Sequence, residues 1–181
     1  MSTLKVNSII PVAGVPTGGG GGIIQVKQAV KTDTASTTSS TKADISGLTP
    51  TITPTSSSSK VLIMMDVKIG ASSYGADVGL TLNRSISGGA STEIYIGDTD
   101  GSRRTASYAS EDFFGGNGDH QMMPIQCCFL DSPSTTSEIT YSIKWNIIGS
   151  DDIYINRDGD NDTGTKSPRT ASSLTLMEVS A

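Results

Sequence analysis

Between Glu138 and Ile148 the chain reads EITYSIKWNII, and its apolar residues fall on every second position. Ile139, Tyr141, Ile143, Trp145 and Ile147 alternate with Thr140, Ser142, Lys144 and Asn146. A helix turns once in about 3.6 residues and would scatter this set around its circumference, whereas a strand gathers it on one face. The segment therefore predicts a β-strand with one side in a core and the other polar. Any fold for this chain must supply a sheet to receive it.

Other segments carry the same signal. KVLIMMDVKIG, residues 60–70, sets Val61, Ile63, Met65, Val67 and Ile69 on one face, with Leu62 and Met64 also apolar on the other. This predicts a strand that begins buried on both faces and ends half exposed. ADVGLTLNRSI (76–86) points Val78, Leu80 and Leu82 inward. GIIQVKQAV (22–30), TEIYIGD (92–98), QMMPIQCCFLD (121–131), a short run at 152–156 and SSLTLMEVS (172–180) complete the set. ISGLTPTITP holds a short strand bounded by prolines, which belongs at a sheet edge. Ser87-Gly88-Gly89, Asp100-Gly101, Gly115-Gly116-Asn117-Gly118 and Asp158-Gly159 supply turns between strands. No segment has a helical period. The expected fold is all-β, a jelly-roll-like antiparallel β-sandwich with an extended N-terminal arm.

The arm is residues 1–17, where Leu4, Val6, Ile9, Ile10, Val12 and Val15 suit an extended segment and Pro11 and Pro16 oppose a helix. Residues 18–22 are five glycines, a flexible hinge, and residues 23–181 form the sandwich domain. Twenty-odd residues cannot bury a core of their own. The six apolar arm residues are the candidate docking site for another protein, the alternative being an edge strand folded back on the domain.

Composition narrows the function. The formal net charge is −5 and the one adjacent basic pair is Arg103-Arg104, so a basic groove for nucleic acid is not expected. No apolar run approaches the roughly 20 residues that span a bilayer, and membrane insertion is not expected. Ser and Thr make up about a quarter of the chain, a composition of short strands and turns. Cys127 and Cys128 are adjacent, so in a strand they face opposite ways and do not bridge.

Catalytic chemistry finds little support. His120 and Asp119 lie in a glycine-rich loop, without the G-x-S-x-G elbow of a nucleophilic serine. Glu93, Glu111, Asp112 and Glu138 are separate in sequence, and with aromatics at 5% a sugar-hydrolysing cleft is poorly served. The pentaglycine is not followed by Lys-Ser/Thr and is not a phosphate loop. The loop INRDGDNDTGTKSPR alternates Asp158, Asp160 and Asp162, which suggests calcium. An EF-hand starting at Asp158 needs Gly sixth and Glu twelfth, but those places hold Thr163 and Arg169. The better reading is a solvated loop between strands. No cofactor, metal or catalytic residue is expected.

The ordered runs SSSSKVLIMMDVKIG, LTLNRSISGG, YIGDTDGSRRTASY, FLDSPSTTSEITYSIKW and SPRTASSLTLMEVSA resemble a tail-fibre-type β-sandwich domain of virion proteins from tailed phages, notably marine and cyanobacterial ones. The resemblance covers residues 22–181 and, more weakly, the MSTLKVNSI start. It implies a non-enzymatic fibre or knob module, commonly a homotrimer. The expected role is a short appendage of the virion, assembled in the host cytoplasm. The arm would dock on another virion protein, and the sandwich would contact the host surface, a glycan being one candidate ligand. Two alternatives stay open: a capsid decoration protein, either cement or head fibre, and a carbohydrate-binding adhesin.

Overall fold

The computed structural model describes residues 22–73, 76–110 and 120–180. Leu4, Val6, Ile9, Ile10, Val12 and Val15 lie outside the described residues, as do the hinge up to Gly21, Glu111, Asp112 and Asp119.

Twelve strands occur among the described residues: β1 Ile23–Lys31, β2 Ala35–Thr37, β3 Ala43–Asp44, β4 Thr51–Ile52, β5 Lys60–Ala71, β6 Val78–Ile86, β7 Thr92–Ile94, β8 Tyr108–Ser110, β9 Met122–Asp131, β10 Ile139–Asn146, β11 Ile153–Ile155 and β12 Ser172–Val179. All pairings are antiparallel. In the first sheet β9 runs along one edge of β5. The other edge of β5 takes β12 and then β11, which in turn carry β1 and β2. In the second sheet β10 pairs with β6 over its whole length, β3 and β4 share its other edge, and β7 and β8 share the far edge of β6. Collinear pieces merge the strands into eight positions, in the order of a jelly roll. The expected all-β sandwich is what the chain forms.

The core lies between the sheets and comes from alternate residues. Val61, Ile63, Met65, Val67 and Ile69 of β5 meet Ile139, Tyr141, Ile143 and Trp145 of β10 and Leu80 and Leu82 of β6, all buried. The alternation in β10 therefore reads correctly, including the inward Trp145. β4 sits between Pro50 and Pro54 and pairs with β10 alone, an edge piece as its prolines require. One expectation changes. The second face of β5 is not buried at its start, because Leu62 is half-buried and Met64 is exposed. The Ser/Thr-rich stretch after β1, to which the sequence pattern assigns no element, contributes β2 and β3.

Three polar clusters fasten the sandwich. Asp131, at the end of β9, accepts two bonds from Arg84 Nη1 at 2.8 and 2.9 Å and one from the Tyr141 hydroxyl at 2.7 Å. It thereby ties the two sheets together. Asn156, just after β11, takes a left-handed φ of 62° and donates from Nδ2 to the carbonyls of Lys31 and Asp33 at 2.8 and 2.9 Å. Its Oδ1 accepts from Ser172 Oγ at 2.7 Å. Glu178 of β12, fully buried, accepts from Gln25 Nε2 at 2.6 Å and from both the backbone and the hydroxyl of Thr55 at 2.7 Å. That holds the 50–59 loop against the end of β12.

Burial pushes the Glu178 carboxyl up, but hydrogen bonds from Gln25 and Thr55 together outweigh it and hold the pKa below its usual value. A folded pKa below the unfolded value of about 4.3 means stability that is complete above that pH. It is lost as the pH falls through the folded pKa. Glu178→Gln is expected to lower stability at pH 7 and to flatten the loss of melting temperature below about pH 4.3. Thermal melts of both proteins across that range check this; parallel curves would refute it.

Candidate interaction face

The two sheets turn very different faces outward. On the second sheet the outward positions are polar: Thr81, Asn83, Ser142 and Asn146 are buried, and Ser85, Thr140 and Lys144 are half-buried. Neighbouring segments cover them and satisfy most of their bonding. Ser142 Oγ donates to Asp44 at 2.8 Å, Asn146 Nδ2 to the Ser40 carbonyl at 3.4 Å, and Ser91 Oγ to Asn83 at 3.2 Å. Above them Lys42 Nζ joins Glu93 at 2.7 Å and the Thr105 carbonyl at 3.2 Å. This face is closed by the chain itself.

The outward face of the first sheet is open and apolar. The registers Leu62↔Leu130, Leu62↔Met177 and Met177↔Val26 align four apolar side chains in one row across β9, β5, β12 and β1. Residues paired across antiparallel strands share a face, so the row is continuous. Val26 is 53% exposed and Leu130 44%, while Leu62 and Met177 are half-buried. Ile23 and Val179 extend the row toward the point where the chain enters the sheet. There the Gly22 carbonyl accepts from the Ser180 amide at 2.9 Å, so the last hinge residue is already paired.

Next to this row, Met64 (45% exposed) and Cys128 pair across β5 and β9. They help line a shallow depression of about 500 Å³ together with Gln28, Asp66, Gln126 and Thr175. Its polar groups are mutually satisfied: Gln28 donates to Thr175 at 2.7 Å, and Asp66 accepts from Gln126 at 3.1 Å and pairs with Lys68. The adjacent cysteines do face opposite ways, and both are free. Cys127 is half-buried, and burial, with Cys128 beside it, pushes its thiol pKa up. Cys128 is exposed on the open face.

The other candidate residues are dispersed. Glu93 is held by Lys42 and sits opposite Asn83, while the Glu138 carbonyl bonds the Ser87 amide. Three residues of β6 lie between those points, a separation of four steps or about 14 Å along a strand. His120 Nδ1 lies 3.4 Å from Asp160, an exposed pair linking two loops. Asp160, Asn161 and Asp162 are exposed, but Asp158 is fully buried, which corrects the reading of a wholly solvated loop. Its Oδ1 accepts from the Asn161 amide at 3.0 Å. The loop is pressed onto the sheet at two glycines: a Cβ on Gly70 would lie 2.2 Å from the Arg157 carbonyl, and one on Gly159 2.0 Å from the Ala71 carbonyl. Among the described residues no three His, Cys, Asp or Glu side chains are grouped to hold a metal ion.

No known family model and no curated protein matches the chain. Among solved structures it is similar to the infectious bursal disease virus Gx strain at 14% identity and TM-score 0.41, covering 87% of this chain and 37% of that one. The Gt strain gives 14% identity and TM-score 0.39 over 86% and 39%, and the VP2 subviral particle 13% and 0.35 over 87% and 42%. The chain thus spans well under half the length of these structures. These are distant likenesses of shape.

Proposed function

We propose that the protein is a non-enzymatic structural component of a tailed-phage virion, a short fibre- or knob-type appendage. In this reading it assembles as a homotrimer, its arm anchors it to another virion protein, and the sandwich projects outward to meet the host surface. The observation that carries the proposal is the contrast between the two sheets, one closed by polar segments and the other offering a continuous apolar row. That contrast is the signature of a part built to be joined to something. The sequence resemblance supplies the kind of particle.

The arm is the anchor under this reading. Changing Leu4, Val6, Ile10 and Val12 together to Ser is expected to abolish incorporation into particles while the sandwich still folds. Immunoblots of purified particles measure this, and undiminished incorporation would remove the anchoring role. Labelled electron micrographs separate the reading from capsid decoration: an appendage places few labels at the tail or neck, a decoration protein covers the head.

A further inference from the structure

We infer that the open face of the first sheet is where copies of this chain meet, with the row Val26–Met177–Leu62–Leu130 at the centre of the contact. The inference deepens the homotrimer reading above and rests on it. It assigns the contact to one face of the sandwich and leaves the arm free for its anchor.

Three observations point to a second copy as the occupant. The row crosses all four strand positions of the sheet without a charged side chain, so nothing within it opposes close approach of an apolar surface. One flank is also suited to a buried contact, because the Asp66 and Lys68 charges are paired with each other and Gln28 is bonded to Thr175, so a partner does not have to neutralise a lone charge there. On the other flank the exposed Lys60, opposite Val179, lies at the end of the sheet and belongs to the solvated rim of the contact. The third observation is size. Four strands about 4.8 Å apart, each about ten residues long at roughly 3.4 Å per residue, make a face on the order of 650 Å². That is close to the roughly 800 Å² per partner of a standard specific interface. The opposite sheet offers no comparable apolar surface, since its outward residues are polar and four of them, Thr81, Asn83, Ser142 and Asn146, are buried under the chain's own segments.

The chain's entry point fits the same geometry. Gly22 and Ser180 bond at the end of the sheet where the apolar row lies. Copies joined through this face would bring their arms out together at one end of the assembly. Cys128 reports on the face directly, because it is exposed on it and pairs across the strands with Met64.

The test uses the full chain at tens of micromolar, with native mass measurement and maleimide labelling. The expected result is a trimer whose Cys128 resists labelling. Val26→Lys with Leu130→Lys, and separately Met64→Lys, should give monomers with the circular dichroism of the parent and a fully reactive Cys128. Both changes fall on exposed side chains, so the core is untouched. If the trimer survives both variants, copies meet elsewhere; the assignment of the face is overturned while the homotrimer stands. If the parent is monomeric with Cys128 reactive, both the face and the homotrimer are overturned. If it is monomeric with Cys128 protected, the chain's own arm covers the row, and the inference is again overturned.

Discussion

Asp131→Ala is expected to remove about 3–5 kcal/mol of folding stability, the cost of breaking a buried charge pair by deleting one partner. The loss has two parts. Arg84, mostly buried, keeps a guanidinium that has lost its carboxylate. Tyr141, fully buried, keeps a hydroxyl whose acceptor is gone. Burial and then Asp131 push the Tyr141 pKa up, so the hydroxyl stays protonated and donates wherever the fold persists. Asp131→Asn should fall between Ala and the parent, because the amide oxygen can still accept from Tyr141 but brings no charge to Arg84. Urea unfolding at pH 7 measures all three, and a loss for Ala below about 1 kcal/mol would exclude a structural role for the cluster.

The second large effect is expected at Asn156. Asn156→Ala should cost about 2–5 kcal/mol, from a left-handed backbone worth about 1–2 kcal/mol and from carbonyls left without their donor at about 1–3 kcal/mol. The lost bonds are those to Lys31 and Asp33, together with the acceptor for Ser172. These connect the end of β1, the turn into β2 and the start of β12, so the damage falls on the middle of the first sheet. Asn156→Gly restores the backbone conformation but none of the side-chain bonds, and denaturation of the two variants separates the contributions. Equal stability of Ala and the parent would show that the turn is held by other contacts.

How much of this was legible in the sequence follows from what each residue needs. β10 was legible because its two faces have different fates, apolar in the core and polar against covering segments, and alternation records that difference. β2, β3 and β8 were not, being two or three residues long and made of Ala, Ser, Thr, Asp and Tyr. Such pieces are fixed by the strand they pair with and leave no period. The apolar outer side of β5 was visible, but hydrophobicity does not say what covers a surface, and Leu62 and Met64 read as core. Asp158 read as a turn former because Asp-Gly usually is one; its burial depends on close approach at Gly70 and Gly159, which are 89 positions apart. The Asp131 cluster did leave a trace. Arg84 follows Leu80 and Leu82 at an inward position of β6, and Asp131 follows Cys127 and Phe129 in the same way. Two opposite charges in phase with apolar faces point to a buried pair, though not to their common partner Tyr141.

The place of β12 sets how this chain can be made. It lies between β1 and β5, so residues 172–179 complete the centre of a sheet whose first strand begins at residue 23. Until that segment has left the ribosome, β1 has no neighbour, and β5 has β9 along one edge but only β11 on the other. Such long-range pairing is slow, and the waiting chain exposes unpaired strand edges and an uncovered apolar interior. The nascent protein is therefore a natural client for chaperones that shield such surfaces. A stop codon that removes only the last dozen residues would leave not a shortened sandwich but an unclosed one.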